Sequence, residues 1–143
     1  MNLNTDNYAR CITTLEITLK RLNATEPEEI DFEIFRNAVV KGFELTLESA
    51  GKLLRKALKA FSGRPRDVDA LTYKDVLRHA AKHDLITPDA VERWFTYRDN
   101  RNDTAHDYGV GFAEETLKLL PKFIDDARAL EAVLRERLGR AES

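Results

Sequence analysis

The chain has 143 residues, of which 43% are hydrophobic and 34% are charged, a balance typical of folded globular proteins rather than disordered ones. Its 23 basic and 25 acidic residues give a formal net charge of −2, which excludes a globally basic nucleic-acid binder but not a local basic patch. One cysteine excludes an intramolecular disulfide framework, and no apolar run reaches the ~20 residues of a membrane span or forms a signal peptide, so we expect a single cytoplasmic domain over residues 1–143.

The first two elements are predicted to be helices. An apolar stripe from Tyr8 to Leu22, with steps of three or four residues, predicts an amphipathic helix that ends at Asn23-Ala24. The second helix is predicted to begin at Thr25-Glu26-Pro27-Glu28, which has the pattern of a helix N-terminus, and to continue to Ser62-Gly63. Gly42 and Gly51 lie inside it, and because a helical glycine costs about 1 kcal/mol relative to alanine, both indicate close packing.

Two shorter helices are predicted next. Gly63-Arg64-Pro65-Arg66 has the composition of a loop. A short helix is expected to begin at Thr72 and to end near Asp84. Thr87-Pro88 combines a capping residue with a proline in the first turn, and therefore predicts the start of another helix.

The last predicted helix carries an apolar stripe from Phe112 to Leu138 and stops at Gly139. Pro121 lies within it and is expected to kink the helix or split it near Leu120. No segment alternates between polar and apolar residues as a strand would. The predicted fold is therefore all-α: an antiparallel up-and-down four-helix bundle with an additional short helix.

The segment from Tyr97 to Gly109 holds the densest set of chemically capable side chains. Arg101 precedes His106 with four residues between them, and Tyr108 follows. Arginine is a permanent cation whose forked donors suit phosphate oxygens, and histidine can act as an acid or a base near neutral pH. Together they are the minimum needed for metal-free RNA cleavage. The alternative is a charged helix end, in which Arg101 pairs with Asp99 or Asp103 and His106 caps a turn.

The order of several motifs resembles one family. Residues Arg101 to Tyr108 resemble the Arg-Asn-x-x-x-His-x-Tyr motif of the nucleotidyltransferase substrate-binding branch of the HEPN superfamily. The segment 43–48 with Lys52, the segment 73–86 and Trp94 resemble further motifs in the same order. The resemblance covers about residues 5–138. It departs at Gly51, where the branch often has tryptophan, and at Thr72-Tyr73, where it usually has Ser-Pro.

The resemblance implies a fold, an activity and partners. HEPN toxins are homodimers that cleave RNA without metal in a cleft shared by both chains, and a minimal nucleotidyltransferase antitoxin adds AMP to the motif tyrosine. Here Arg101 would contact the scissile phosphate, His106 would carry acid–base chemistry, Tyr108 would be modified or contact substrate, and Asn102 would orient the motif. We expect an RNA substrate, with transfer RNA a candidate, and no metal, cofactor or membrane. The alternative is a non-catalytic substrate-binding or nucleotide-binding subunit of a two-component nucleotidyltransferase.

A basic run on the second helix offers a second site. Lys52, Arg55, Lys56 and Lys59 share one face at helical spacing. They predict either a patch that contacts phosphates or a solvated face whose cations favour the C-terminal end of the helix dipole.

Acidic and histidine pairs complete the candidate residues. Glu44 is expected to support Arg101 as a hydrogen-bond acceptor, whereas Glu48 is expected to lie in a surface ladder with Lys52. His79 and His83 are four residues apart and could contact a metal, but the apolar residues of that helix take the opposite side. We therefore expect both histidines to face solvent.

Overall fold

The computed structural model describes residues 3–104 and 110–139, which form six helices and no strand. The helices are α1 (Asp6–Asn23), α2 (Ile30–Phe61), α3 (Pro65–Asp69), α4 (Tyr73–Lys82), α5 (Pro88–Thr104) and α6 (Val110–Leu138). The prediction of an all-α bundle is confirmed. Within the described ranges, no helix is both long enough and apolar enough to cross a membrane.

The long helices α1, α2 and α6 pack against one another, and α5 packs on α6 and α4. The short helix α4 lies between α2 and α5. The contacts of α1 with α6 run in opposite directions along the two helices, since Leu3 N–H donates to the Leu138 carbonyl at 2.8 Å while Glu16 accepts from Arg128 at 2.6 Å. This antiparallel pairing brings both ends of the described chain together.

Four aromatic rings form the centre of the core. Phe123 on α6 contacts Phe43 on α2 and Tyr97 on α5 edge-to-face, with ring centroids 4.8 Å and 4.9 Å apart. Trp94, one turn before Tyr97, is fully buried against the same ring at 5.7 Å. Edge-to-face pairs at these distances are favourable beyond their buried area. They hold α5 against both α2 and α6.

A buried carboxylate also joins α5 to α6. Asp126 accepts two hydrogen bonds from Arg93, both at 2.8 Å, and one from the Tyr97 hydroxyl at 2.5 Å. Burial alone would raise the pKa of Asp126, but the hydrogen bonds from Arg93 and Tyr97 outweigh burial and hold this pKa below its ordinary value. The network fixes the register of α5, whose last turn carries Arg101.

The predicted helix starts at Thr72 and Thr87 are present as capping hydrogen bonds. The Thr72 hydroxyl oxygen accepts from the Asp75 N–H at 3.1 Å, and the Thr87 hydroxyl oxygen accepts from the Ala90 N–H at 3.2 Å. Gly139 directly follows the last residue of α6, as expected. These boundaries were readable because a capping side chain acts within three residues of its own position.

Two helix starts differ from the sequence prediction, and the split that was one of the two predicted outcomes at Pro121 does not occur. α2 begins at Ile30 rather than at Pro27, because the Thr25 hydroxyl donates back to the Arg21 carbonyl and so does not cap α2. The predicted loop at residues 63–66 contains the start of a short helix, α3. α6 continues through Pro121 and is not split at Leu120.

Candidate functional site

Arg101 lies in the last turn of α5 and faces two carboxylates of α2. Its Nη2 is 3.3 Å from Oε1 of Glu48 and 3.8 Å from Oε2 of Glu44. The two glutamates are four residues apart and therefore share one helix face. The side chains of Arg101 and Glu44 are 25% and 13% exposed, whereas that of Glu48 is 46% exposed, so water reaches the cluster from the Glu48 side. Glu48 therefore contacts Arg101, and not Lys52 in a surface ladder as the sequence predicted.

The guanidinium of Arg101 keeps donor capacity beyond these carboxylates. Its Nε is buried and has no hydrogen-bond partner among the residues that the structure describes. The distances to α2 also exceed the ~2.7–2.9 Å typical of strong charge-assisted hydrogen bonds. The carboxylates therefore orient the guanidinium through Nη2, and a further anion such as a phosphate would meet its Nη groups rather than the buried Nε. Asp99, an alternative partner in the sequence interpretation, instead pairs with Lys74 at 2.8 Å.

The structure describes only part of the rest of the motif. Asn102 lies in α5, one residue after Arg101. His106 and Tyr108 lie outside the described residues. Their roles, and the role of the Asn102 side chain, stay predictions.

Gly51 and Tyr73, the two departures from the family pattern, are in contact with each other. A Cβ atom at Gly51 would lie 2.6 Å from Cε2 of Tyr73, so the tyrosine ring occupies the space of the missing side chain. The Tyr73 hydroxyl donates to the Leu47 carbonyl at 2.8 Å, and burial raises the pKa of this phenol well above its ordinary value. The close packing predicted at Gly51 is therefore confirmed, because the Tyr73 ring fills the space beside it.

The basic run of α2 divides into two pairs. Arg55 donates to the carbonyls of Val68 and Leu71, both at 2.9 Å, and Lys59 pairs with Asp69 at 2.7 Å. These two cations hold α3 and the following turn against α2, which is a structural use that the sequence did not reveal. Lys52 and Lys56 are exposed and remain accessible to an anion.

The two histidines do not face open solvent as expected. His79 and His83 are half-buried and line a cavity of about 200 Å³ with apolar residues from α2 and α3. The His83 ring stacks on Phe61 with centroids 4.6 Å apart, and its carbonyl accepts from Arg137 at 2.6 Å. Across the described part of the chain, no three His, Cys, Asp or Glu side chains are grouped as a metal ion would need.

A cluster of cations between α4 and α5 was missed. Lys74 and Arg78 on α4 and Arg98 on α5 line an open groove of about 480 Å³. Arg98 lies three residues before Arg101, on the same side of α5. The sequence signal was present as the spacing of these residues, but it became visible only once α4 was packed against α5.

Comparison with known proteins identifies the family of this chain and relatives of its fold. The family model described as nucleotidyltransferase substrate binding protein like matches residues 3–136. A Haemophilus influenzae protein named probable ribonuclease HepT is 27% identical over 125 residues, or 87% of this chain and 84% of that relative. A solved Haemophilus influenzae structure, described as revealing the fold of a substrate binding domain of a nucleotidyltransferase, has a TM-score of 0.81 at 24% identity and covers 92% of this chain and 99% of that one. The chain therefore belongs to the nucleotidyltransferase substrate binding protein-like family, as its motifs predicted.

Proposed function

We propose that this protein is a metal-independent endoribonuclease, the toxin of a toxin–antitoxin pair. The observation that carries the proposal is the guanidinium of Arg101, which Glu44 and Glu48 orient through Nη2 and which lies five positions before His106. The relative from Haemophilus influenzae that is named a probable ribonuclease supports the same activity.

The chemistry uses two histidines and one phosphate binder. His106 of one chain takes the proton from an RNA 2′-hydroxyl, and the freed oxygen attacks the neighbouring phosphorus. The bond from phosphorus to the 5′-oxygen breaks, and His106 of a second chain donates a proton to that leaving oxygen. The products are a 2′,3′-cyclic phosphate and a 5′-hydroxyl. Arg101 stabilises the charge that develops on the phosphate oxygens during attack.

A second copy of the chain is needed because the two proton transfers need both a base and an acid. An exposed stripe on α2, which we call the α2 stripe, supports such pairing; it consists of Ile30, Ile34 and Leu45, is interrupted by the exposed Asn37 and Lys41, and leads to Glu48. At about 100° per residue, the three apolar positions and Glu48 fall within about 60° of one another around the helix. Ile30 is 69% exposed and Ile34 is 55% exposed, which is costly for a monomer in water. Since the stripe ends at a contact of Arg101, pairing through it brings two motifs together.

The partner in this proposal is a minimal nucleotidyltransferase that acts as the antitoxin. It transfers AMP from ATP to Tyr108: the phenol oxygen loses its proton and attacks the α-phosphorus, and pyrophosphate leaves. The added phosphate and nucleoside lie beside the motif and block the cleft. The family description and the solved relative, both tied to nucleotidyltransferases, support this partner. The proposed substrate is RNA, and transfer RNA is the first candidate to test.

A second function follows from the same family description. The chain would then be a non-catalytic subunit, and the Arg101 cluster would hold a nucleotide or the substrate of the partner nucleotidyltransferase. This reading predicts anion binding at Arg101 without RNA cleavage.

The test compares purified wild-type protein with Arg101→Ala and Arg101→Lys variants on total transfer RNA in excess EDTA. Loss of the guanidinium is expected to slow cleavage by about 10²–10³-fold, and lysine is expected to restore only part of the rate because it lacks the planar fork. Arg21→Ala, an exposed arginine at the end of α1, is the matched control and should cleave normally.

The outcomes separate the two functions. Cleavage that survives in both Arg101 variants would refute the role of Arg101. The non-catalytic function would be established instead by two results together. Wild-type protein of unmodified intact mass would cleave nothing and bind a nucleotide, and the Arg101→Ala variant would lose that binding.

A further inference from the structure

Three cationic side chains line the groove between α4 and α5 and do not belong to the buried core. We call this surface the α4–α5 groove; it is lined by Tyr73, Lys74, Arg78 and Arg98, with Asp75 and Asp99 at its edges. It is open to solvent and has a volume of about 480 Å³.

Aromatic rings hold these cations in place. Cζ of Arg98 lies 4.6 Å from the ring centroid of Tyr73. Nζ of Lys74 and Cζ of Arg78 lie 5.4 Å and 5.1 Å from the ring centroid of Phe95. Contacts of this kind are attractive and limit the motion of long side chains. Cations that are already ordered lose less conformational entropy when a ligand binds them, so the groove is preorganised for an anion.

The groove carries a net positive charge, and its cationic side chains are accessible to a ligand. Arg78 pairs with Asp75 at 2.7 Å and Lys74 pairs with Asp99 at 2.8 Å. Within the described ranges, Arg98 has no carboxylate partner, which leaves the groove with one excess positive charge. Both ion pairs are exposed, and exposed pairs are weak enough for a phosphate group to replace the carboxylate.

The groove is continuous with the Arg101 cluster. Arg98 and Arg101 are three residues apart on α5, which places them about 4.5 Å apart along the helix axis on neighbouring positions of one face. On the α2 side, the Tyr73 hydroxyl donates to the carbonyl of Leu47, the residue before Glu48, and Glu48 contacts Arg101. The groove therefore borders the Arg101 cluster, so a strand whose phosphates lie in the groove would pass beside Arg101 and the exposed Glu48 carboxylate.

We propose that the α4–α5 groove binds the phosphates of a single-stranded RNA segment next to the phosphate that Arg101 contacts. This inference rests on the proposed ribonuclease function and assigns its substrate-binding surface. The groove replaces the basic run of α2 as the main surface for the strand, because Arg55 and Lys59 are engaged with α3 and the turn after it. Positively charged tracks beside a reaction centre are the usual means of binding single strands without sequence preference.

The composition of the groove favours a polyanion over a protein partner. Protein interfaces are built on apolar cores that are depleted of charge. The most exposed large apolar side chains in the described part of the chain lie on α1 and α2, whereas the groove has charged side chains at its mouth. A protein that docks in the groove would have to bury these charges.

The test measures binding of a fluorescent 2′-O-methyl RNA, which lacks the reactive hydroxyl, by anisotropy over a range of salt concentrations. The groove variant is Arg78→Gln combined with Arg98→Gln. Since each phosphate contact on a single strand contributes about 0.7 to the slope of log affinity against log salt, losing two contacts should lower that slope by about 1.4. We expect the affinity at low salt to fall by about tenfold or more.

Two comparisons separate a local effect from unfolding. The double variant Arg78→Lys with Arg98→Lys keeps both charges and should recover most of the affinity. Arg21→Gln, an exposed cation at the end of α1 outside the groove, is the matched control and should bind as wild type does.

Each remaining outcome overturns the inference. Affinity and salt slope that are unchanged in the groove variant would place the strand elsewhere, even if wild-type protein cleaves RNA in EDTA and the proposed function stands. No binding of the RNA by wild type would also refute it. Loss of binding to the nucleotidyltransferase partner alone, with RNA binding intact, would show that the groove is a protein interface.

Discussion

Replacing Gly51 with alanine is expected to destabilise the protein, while the same replacement in a Tyr73→Ala background is expected to stabilise it. The reason is the contact between the two positions, where an added Cβ would lie 2.6 Å from Cε2 of Tyr73. Carbon atoms in favourable contact are about 3.5–4.0 Å apart, so the methyl group would overlap the ring by about 1 Å. The ring cannot simply turn away without losing the hydrogen bond of its hydroxyl to Leu47.

The size of the effect follows from two opposing contributions. Alanine in place of glycine within a helix gains about 1 kcal/mol. Overpacking of a well-packed site costs about 1–3 kcal/mol. Gly51→Ala alone should therefore lower the free energy of unfolding by up to about 2 kcal/mol, and by more if the Tyr73 hydrogen bond is lost. Once Tyr73 is alanine the overlap disappears, and Gly51→Ala should raise the free energy of unfolding by about 1 kcal/mol.

Urea denaturation of wild type, both single variants and the double variant measures this coupling directly. Gly111→Ala is the control, because it lies in α6 with nothing within 4 Å of its added Cβ and should not destabilise the protein. Equal effects of Gly51→Ala in both backgrounds would refute the account that Tyr73 fills the space beside Gly51.

Three further predictions concern the core, a helix cap and the cleft. Asp126→Asn should lower the free energy of unfolding by about 2 kcal/mol, because Arg93 and Tyr97 lose an ionised acceptor. Because folding lowers the pKa of Asp126, the stability that its carboxylate contributes is present above about pH 4 and is lost as the pH falls through the folded-state pKa. The denaturation curves of wild type and Asp126→Asn should therefore converge in acid. Thr72→Ala should cost about 1 kcal/mol in thermal denaturation while Thr72→Ser costs less; equal losses would contradict the cap. If the cleft needs a histidine from each chain, excess His106→Ala protein equilibrated with wild type should suppress cleavage per wild-type chain, whereas a rate independent of added variant would exclude a shared cleft.

Much of the fold could be predicted because its signals are local. The caps at Thr72 and Thr87 and the apolar stripes of the long helices each depend on residues within a few positions of one another. The predicted start of α2 was wrong for an equally local reason, because the Thr25 hydroxyl donates to the Arg21 carbonyl one turn earlier instead of capping α2. A capping pattern identifies a residue that can cap a helix, but the backbone group that its side chain binds depends on the local structure.

The candidate site was predictable only in part, because its geometry depends on packing between distant segments. The spacing of Arg101 and His106 identified the motif, but contact between Arg101 and Glu48 joins residues 53 positions apart. The Arg55 guanidinium has the same sequence signature as a phosphate binder, yet it donates to backbone carbonyls after α2. Long cationic side chains have many reachable partners, and tertiary packing selects among them.

The most direct test of the ribonuclease account is the identity of the RNA ends produced in excess EDTA by wild-type protein and by the His106→Ala variant. The account predicts that wild type without its partner yields fragments that end in 2′,3′-cyclic or 3′-phosphate and begin with 5′-hydroxyl, and that His106→Ala yields none. Fragments that end in 3′-hydroxyl, or identical cleavage by the variant, would contradict a mechanism in which His106 moves the protons.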